Sequence, residues 1–455
     1  MTKRYQDLLL ANKNMILNGA PGTGKTYLSK LIASQMIKSS IKSDTTMEEN
    51  QFINDHIGFV QFHPSLDYTD FVEGLRPTKT NEYGNIGFEL KNGVFKKFCA
   101  NALINLIDSK KSTKDISFEK LLENKYNSLL DLIQNDNVDK IPLKTKDKYA
   151  EISGISDNNN ILFKKVDGSS SSNCVSLNRL KLLAKKYKTK KELEHINNIN
   201  QSIREIIGGC NSTWYWAVLS YIYDQFGDMS LENIYNEKIE EKKYVFIIDE
   251  INRGDISKIF GELFFAIDSG YRGKNGIIET QYQNLINIDD STKAEDVFKN
   301  GFYIPQNVYI IGTMNDIDRS VESMDFAMRR RFAFIEITAK ESAENMLGKE
   351  ESYAALVKGM KNETELIEAC MNANTDIINK MDSLNNTIIS EEIGLTLDYQ
   401  IGAAYFLKYA LYANSKDAFE KLWQNHLQCV LKEYLRGIGE ESKKLQILKN
   451  SYDNA

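Results

Sequence analysis

The chain has 455 residues, 42% hydrophobic and 26% charged, with a formal net charge of −6, a balance that excludes a disordered or fibrous protein. Five scattered cysteines without a CxxC pair and only four histidines suggest neither a zinc site nor a disulfide framework. No apolar run approaches membrane-spanning length and the N-terminus lacks a signal-peptide pattern, so we expect a cytoplasmic protein that binds no membrane.

The first predicted elements are a short buried strand at 15–17, a glycine-rich loop at 19–26 and a helix. The loop reads GAPGTGKT and matches the phosphate-binding pattern GxxxxGK[ST]. Backbone N–H groups in such a loop turn toward phosphates, and the helix N-terminus favours negative charge. Lys25 is placed to reach the β- and γ-phosphates, and Thr26 to offer its hydroxyl to Mg²⁺. The predicted nucleotide-binding residues of this loop are Gly19, Pro21, Gly22, Thr23, Gly24, Lys25 and Thr26.

Residues 109–212 interrupt this pattern and predict a small α+β insertion with a strand pair at 149–152 and 161–166. They contain 19 Lys and Arg against 13 Asp and Glu, a net charge of +6, so the remainder carries −12. Seven of these basic residues fall within 179–191, a stretch without an acid. Such a run either contacts DNA phosphates, docks on an acidic partner, or forms a solvated amphipathic helix. We favour the solvated helix, with Leu180, Leu182 and Leu183 facing inward.

Two further buried strands end in polar residues. The strand 244–248 leads into Asp249 and Glu250, and the strand that begins near 307 ends at Asn315. The carboxyl edge of a parallel sheet is where ligands bind in doubly wound α/β folds. We therefore expect Asp249 to hold nucleotide-bound Mg²⁺, Glu250 to polarise a water, and Asn315 to bond the γ-phosphate or that water.

Three consecutive arginines lie in the segment DFAMRRRF, 325–332. They either offset a helix dipole or reach a phosphate in a neighbouring subunit as trans-acting fingers. Arg329 and Arg330 are the best finger candidates, and the sequence does not choose between them.

Together these motifs resemble the McrB-type AAA+ proteins, the motor subunits of modification-dependent restriction systems. The resemblance is carried by VQFHPSLDYTDFVEGLRP, GFELKNGVFKKFCANA, FIIDEINRGDISKIFGELFFAID, GTMNDIDRS and DFAMRRRFAFIEI. It implies an α/β AAA+ P-loop NTPase with a parallel-sheet core, the insertion and a C-terminal helical lid. It also implies roles in hydrolysis for Arg253, Asn315 and Asp318, with Arg319 completing the signature.

By the same resemblance we expect a homo-hexamer that hydrolyses ATP or GTP with Mg²⁺. Its partner would be an McrC-like endonuclease subunit, which carries the nuclease activity, with DNA bound directly or through that partner. The expected divisions are core 1–108, insertion 109–212, core 213–340 and helical lid 341–455. Two alternatives stay open: a MoxR-like protein-remodelling chaperone and a nucleotide-gated scaffold.

The sequence departs from the family in two places. The glycine loop starts at Gly19, so we expect that either the gene is shortened at the usual DNA-reading domain or recognition of modified DNA lies elsewhere. Ala403 and Ala404 replace a usual His-Ser pair, so we expect no lid-sensor role there.

The guanine-reading pattern NKxD occurs at 379–382, but its neighbours have helical spacing, which marks it as coincidence. The choice between ATP and GTP therefore stays open.

Overall fold

The computed structural model describes residues 2–39, 46–78, 86–135, 137–156, 158–164, 173–208, 210–229, 238–286, 297–315, 317 and 326–455. Of residues 46–50 it describes the backbone alone. Across these ranges, no helix combines the length and apolar character needed to cross a membrane. The chain divides into two compact units, Met1–Cys99 with Lys243–Ile277 and Tyr303–Ala455, and Ala100–Lys242 with Ile278–Phe302.

The strands are β1 (Asn14–Asn18), β2 (Ile57–Gln61), β3 (Glu73–Pro77), β4 (Phe88–Asn92), β5 (Lys140–Pro142), β6 (Tyr149–Ile155), β7 (Ile161–Phe163), β8 (Asn173–Val175), β9 (Tyr244–Asp249), β10 (Val308–Met314) and β11 (Ala333–Glu336). The α-helices are α1 (Thr2–Asn12), α2 (Lys25–Lys38), α3 (Thr46–Asp55), α4 (Tyr68–Phe71), α5 (Val94–Ser109), α6 (Thr113–Gln134), α7 (Leu177–Lys186), α8 (Lys190–Glu194), α9 (Ile199–Ile207), α10 (Ser212–Phe226), α11 (Ile256–Phe260), α12 (Leu263–Ala266), α13 (Gln283–Ile286), α14 (Phe326–Arg329), α15 (Ala339–Met346), α16 (Glu350–Val357), α17 (Glu363–Asn372), α18 (Asn374–Ile388), α19 (Ala403–Phe406), α20 (Ala418–Leu422), α21 (Gln428–Leu435) and α22 (Glu441–Asp453).

The first unit is built on a five-stranded parallel sheet in the order β11-β1-β10-β9-β2. Strands β9 and β10 are buried along their whole length, because helices cover both faces of such a sheet and select continuous apolar runs. The predicted α/β fold with a parallel-sheet core is therefore confirmed. The edge strand β2 was not predicted, because its sequence IGFVQ shows neither a continuous apolar run nor strict alternation.

A β-hairpin of β3 and β4 precedes α5 in the same unit. It is anchored by an ion pair between Lys96 and Glu73, both of whose side chains are fully buried. A charge pair held in this way keeps its register, because separating the partners would leave an uncompensated buried charge. Close by, the rings of Phe71 and Phe95 stack 4.9 Å apart and pack against Phe246 of β9.

Helices α15 to α22 form the C-terminal lid, within the same compact unit as the sheet. The first lid helix starts with a capping box in which Thr338 and Glu341 each bond the other's backbone N–H. A common core that includes Tyr353, Trp423 and Tyr452 joins the lid helices. This confirms a helical lid, whereas the predicted boundaries at 108, 212 and 340 stay predictions.

The second unit contains a four-stranded antiparallel sheet in the order β5-β6-β7-β8, packed with helices α6 to α10. Helix α6 is capped by the Ser112 hydroxyl and buries Phe118, Leu122 and Leu129 at helical spacing. The predicted pair of strands near 149 and 161 is present as β6 and β7.

The basic run of this unit lies on α7 and α8, and three of its lysines form ion pairs within the unit. Lys185 lies 2.7 Å from Glu119, Lys181 lies 3.3 Å from Glu123, and Lys190 pairs with Asp224. Helix α7 buries Leu180 and Leu183, as expected of an amphipathic helix. The inward placement predicted for Leu182 is wrong, because this position faces away from the stripe and its side chain is 43% exposed.

Candidate active site

The phosphate loop lies at the carboxyl end of β1, between that strand and α2. Gly22 and Gly24 have φ angles of 77° and 80°, a left-handed conformation that glycine adopts without a steric penalty. The Lys25 ammonium is buried and donates to the carbonyls of Gly19 at 2.8 Å and Ala20 at 2.9 Å. The lysine is thereby held against the loop that it would serve.

Asp249, at the end of β9, binds the hydroxyls of two threonines. Thr26 donates to its Oδ1 at 2.6 Å, and Thr313 of β10 donates to the same atom at 2.7 Å. The first residues of α2 and the ends of β9 and β10 are therefore joined through one carboxylate. The two residues predicted to bind Mg²⁺, Thr26 and Asp249, are in direct contact.

Asn315 links the phosphate-loop lysine to the second acidic residue. Its Oδ1 accepts from Lys25 Nζ at 2.6 Å, and its Nδ2 donates to Glu250 Oε1 at 2.6 Å. Arg253 Nε donates to the other Glu250 oxygen at 3.3 Å, so both carboxylate oxygens are held. Asn252 in turn donates to the Asn315 carbonyl at 3.1 Å, an anchor that the sequence did not reveal.

Glu250 is an unusual residue in backbone and in charge. Its φ of 52° is left-handed, which is uncommon for a residue with a side chain and occurs at functional turns. Burial raises the pKa of its carboxyl above the ordinary value, while Arg253 opposes the shift and Asp249 adds to it. A carboxylate with a raised pKa is a stronger base, as a proton acceptor requires.

A cavity of about 840 Å³ opens over these residues and is closed on its other side by the lid. Its volume suits a nucleotide-sized ligand. The lid contributes three tyrosines and a Glu433–Arg436 ion pair of 2.7 Å. The residues that line the cavity are Pro21, Gly22, Gly24, Lys25, Thr26, Tyr27, Glu250, Arg253, Thr313, Asn315, Ile317, Tyr399, Ala404, Tyr405, Cys429, Val430, Glu433, Tyr434 and Arg436.

The lid segment 402–405 touches the phosphate loop directly. Gly402 N donates to the Pro21 carbonyl at 3.0 Å, and Ala404 N donates to the Gly22 carbonyl at 2.9 Å. These contacts need no side-chain donor, so the two alanines at 403 and 404 do not prevent them. Sequence reasoning missed this lid contribution because it looked for polar side chains, and a backbone contact leaves no residue-type signature.

The structure distinguishes the three arginines. Arg331 is half-buried, donates to the Ala327 carbonyl at 2.5 Å and lies 4.6 Å from the centre of the Phe264 ring. Arg329 and Arg330 are exposed, and neither is among the described residues that line the cavity of their own chain. Residues 329–331 form a turn at the end of α14, which we call the arginine turn. Asn14 holds this turn, because its Nδ2 donates to the Arg331 carbonyl at 2.9 Å.

Two predicted features fall elsewhere. Asp318 and Arg319 lie outside the described residues. The NKxD pattern lies inside the lid helix α18, where the buried Lys380 donates to the Tyr452 carbonyl at 2.8 Å. It therefore contributes to the packing of the lid and is not among the residues that line the cavity.

Comparisons with known proteins agree with this geometry. The family model for the McrB alpha-helical lid domain matches residues 376–443, and that for the AAA domain of the dynein-related subfamily matches residues 181–332. The EcoKMcrB subunit of the type IV methyl-directed restriction enzyme of Escherichia coli (strain K12) is 36% identical over 166 residues, 36% of this chain and 30% of that protein. Component YdiS of the type II restriction enzyme BsuMI of Bacillus subtilis (strain 168) is 30% identical over 91 residues, 20% of this chain and 26% of that protein.

The chain thus spans less than a third of the length of either curated relative. The AAA match contains β9, β10 and the arginine turn, and the glycine loop at 19–26 precedes it. The lid match falls on the helices that close the cavity. With the parallel sheet and the helical lid, these matches support an McrB-type AAA+ protein.

Proposed function

We propose that this protein is a nucleoside triphosphatase that works as a ring motor in an McrBC-like DNA restriction system. The observation that carries the proposal is the hydrogen-bonded chain from Lys25 through Asn315 to Glu250, with two links of 2.6 Å. Hydrolysis of a terminal phosphate needs a cation at the phosphates and a carboxylate at the attacking water. Both groups lie at one edge of the sheet.

Thr26 and Asp249 are the residues that would hold Mg²⁺. Their oxygens lie 2.6 Å apart at the start of α2, and Mg²⁺ prefers oxygen ligands, so this pair fits the ion that accompanies ATP or GTP. When bound, the ion neutralises charge on the phosphate oxygens. Thr313 keeps the Asp249 carboxylate oriented through its own hydrogen bond of 2.7 Å.

The protein's own groups supply the remaining chemistry. The loop's backbone N–H groups and Lys25 bind the phosphates. Glu250, whose pKa is raised by burial, accepts a proton from the attacking water, and Arg253 and Asn315 hold its two oxygens in place. Asn315 also contacts Lys25, so it is placed to respond to whether a γ-phosphate is present.

The exposed arginines support assembly into a ring. Arg329 and Arg330 do not line the cavity of their own chain, so each site would receive its arginine from a neighbouring copy in a closed hexamer. The signature residue Asp318 is assigned to the same hydrolytic site by resemblance alone. Both curated relatives are named as components of restriction enzymes. DNA cleavage would belong to an McrC-like endonuclease subunit.

The test is phosphate release from ATP and from GTP in parallel, with and without an McrC-like endonuclease subunit. We expect turnover of at least one nucleotide, stimulated by the subunit. Glu250→Gln should retain nucleotide binding but lose turnover by about 10²-fold or more, because the proton acceptor is gone. The exposed lid variant Glu351→Gln is the matched control and should match the wild type. Normal turnover in Glu250→Gln, or none in the wild type with the subunit present, overturns the proposal.

A further inference from the structure

The second compact unit presents a lysine-rich surface outside the active site. The turn between β5 and β6 contributes Lys144, Lys146 and Lys148, and the α7–α8 region contributes Lys186 and Lys191. All five side chains are exposed. We call these five residues the basic surface.

The two parts of the basic surface are held together by a direct contact. The Lys144 ammonium donates a hydrogen bond to the carbonyl of Ile196, the second residue after α8. A carbonyl does not neutralise an ammonium, so Lys144 keeps its charge while it fixes the turn beside α8. Next to it, Lys186, Tyr187, Lys191, Glu192 and His195 line a shallow groove of about 440 Å³.

The charges of the other four lysines of this surface are not neutralised inside the protein. Among the described residues, no carboxylate lies within ion-pair distance of Lys146, Lys148, Lys186 or Lys191. Their neighbours Lys181, Lys185 and Lys190 behave differently, because each pairs with an acid on α6 or α10. The nearby Glu192 carboxylate accepts from two backbone N–H groups, those of Lys188 and Thr189.

The amino-acid composition of the basic surface favours a nucleic acid over a protein as its ligand. Protein–protein interfaces have apolar, aromatic centres and are depleted in lysine. This surface is instead rich in lysine, and the acids beside its lysines in the chain are Asp147, Glu192 and Glu194. Of these, Glu192 accepts from backbone N–H groups and Glu194 pairs with Lys190 at 3.7 Å. Lysine is a point-charge phosphate binder that needs no fixed geometry, which suits a repeating phosphate backbone. Residues 109–212, which carry this surface, have a net charge of +6, whereas the remainder of the chain has −12.

We infer that the basic surface binds the phosphate backbone of double-stranded DNA without reading its sequence. The inference rests on the proposed function in one respect, that the protein works on DNA, and it assigns part of the DNA contact to this chain. Such binding places the motor on DNA whatever the bases. It also explains why only part of the basic run is paired internally.

The experiment is fluorescence anisotropy of a labelled, unmodified duplex titrated with the full chain between 50 and 200 mM KCl. The test variant reverses four charges: K146E, K148E, K186E and K191E. Lys144 is left intact because it holds the turn. The control variant reverses four exposed lid lysines and changes the net charge equally: K340E, K358E, K361E and K416E.

Each phosphate contact contributes about 0.9 to the slope of log affinity against log salt, so the test variant should reduce that slope by about 3 to 4. Its affinity at 100 mM KCl should fall by about tenfold or more, while the control stays within about twofold of the wild type. A test variant with the wild-type slope overturns the inference, as does a control with an equal loss. Failure of the wild type to bind the duplex at 50 mM KCl overturns it too.

Two further measurements distinguish this inference from the motor proposal and from a protein-docking role of the same surface. Nucleotide hydrolysis by the test variant without DNA should equal that of the wild type, so a failure of the motor proposal is read independently. If charge reversal unfolds the unit, the neutral pair K186Q and K191Q is used, and its slope should fall by about 1.8. Loss of binding to an acidic protein partner with DNA binding unchanged would show a protein-docking surface instead and overturn the inference.

Discussion

Replacing Gly402 by alanine should weaken nucleotide binding without unfolding the protein. A Cβ at this position would lie 2.1 Å from Gly22 C and 2.2 Å from Thr23 N, where ordinary contact begins at 3.4 Å. The obstacle is backbone of the phosphate loop, which has no rotamer to change. The lid segment and the loop must therefore separate by roughly 1 Å, the shortfall against ordinary contact.

That separation breaks the two backbone hydrogen bonds between the lid segment and the loop. At about 1 kcal/mol each, their loss amounts to about 2 kcal/mol. If this contact exists only in the nucleotide-competent arrangement, affinity falls by about 30-fold. The assay is titration of fluorescent ATP and GTP analogues into Gly402→Ala, with thermal unfolding measured alongside.

Gly439→Ala is the matched control, because a Cβ there meets no atom within 4 Å and the residue lies in the same lid. It should bind nucleotide as the wild type does. Wild-type affinity in Gly402→Ala would refute the reasoning, since it would mean that the lid contact does not shape the site. A large fall in the unfolding temperature of Gly402→Ala would place the effect on stability rather than on the site.

Three more predictions follow from the site. Arg330→Ala should reduce turnover at unchanged thermal stability, whereas Arg331→Ala should lower the unfolding temperature, because the Arg331 side chain donates to the Ala327 carbonyl and lies against the Phe264 ring. Calorimetry beside a turnover assay decides, and the reverse pattern contradicts the assignment. Turnover should be lost as pH falls through the raised pKa of Glu250. Arg253→Ala should move the midpoint of the pH–rate profile to higher pH, because it removes a positive charge that lowers the pKa of Glu250, and a downward shift of the midpoint contradicts this. Nucleotide should protect the cavity-lining Cys429 from N-ethylmaleimide but leave the exposed Cys210 reactive; mass spectrometry would refute the cavity assignment if both thiols reacted equally with nucleotide present.

Much of the candidate site was predictable because its residues lie in short contiguous motifs. The glycine loop, the Asp249–Glu250 pair and Asn315 each follow a buried strand. Parallel strands bring their carboxyl ends to one edge, so local reading was enough to place these groups together. The hydrogen bonds of 2.6 Å among Lys25, Asn315 and Glu250 agree with that expectation.

Other features depended on contacts between distant parts of the chain. The edge strand β2 has no strong alternation, so its pairing with β9 could be seen only in the folded sheet. The prediction for Leu182 failed because neighbouring apolar residues on a helix cannot all face one side. Which lysines of the basic run are paired depends on acids of α6 and α10 that lie more than 30 positions away.

The sequence by itself determined the fold class and which polar residues gather at the carboxyl edge of the parallel sheet, because strand patterns and motif spacing are local properties. Only the tertiary structure decided how the lid meets the phosphate loop, which of the three arginines is half-buried and where lysines without an ion pair gather. Those outcomes follow from backbone contacts and ion pairs between segments distant in the chain, such as Gly402 with Pro21 and Lys144 with Ile196. Packing brings such partners together, and residue type alone does not specify them.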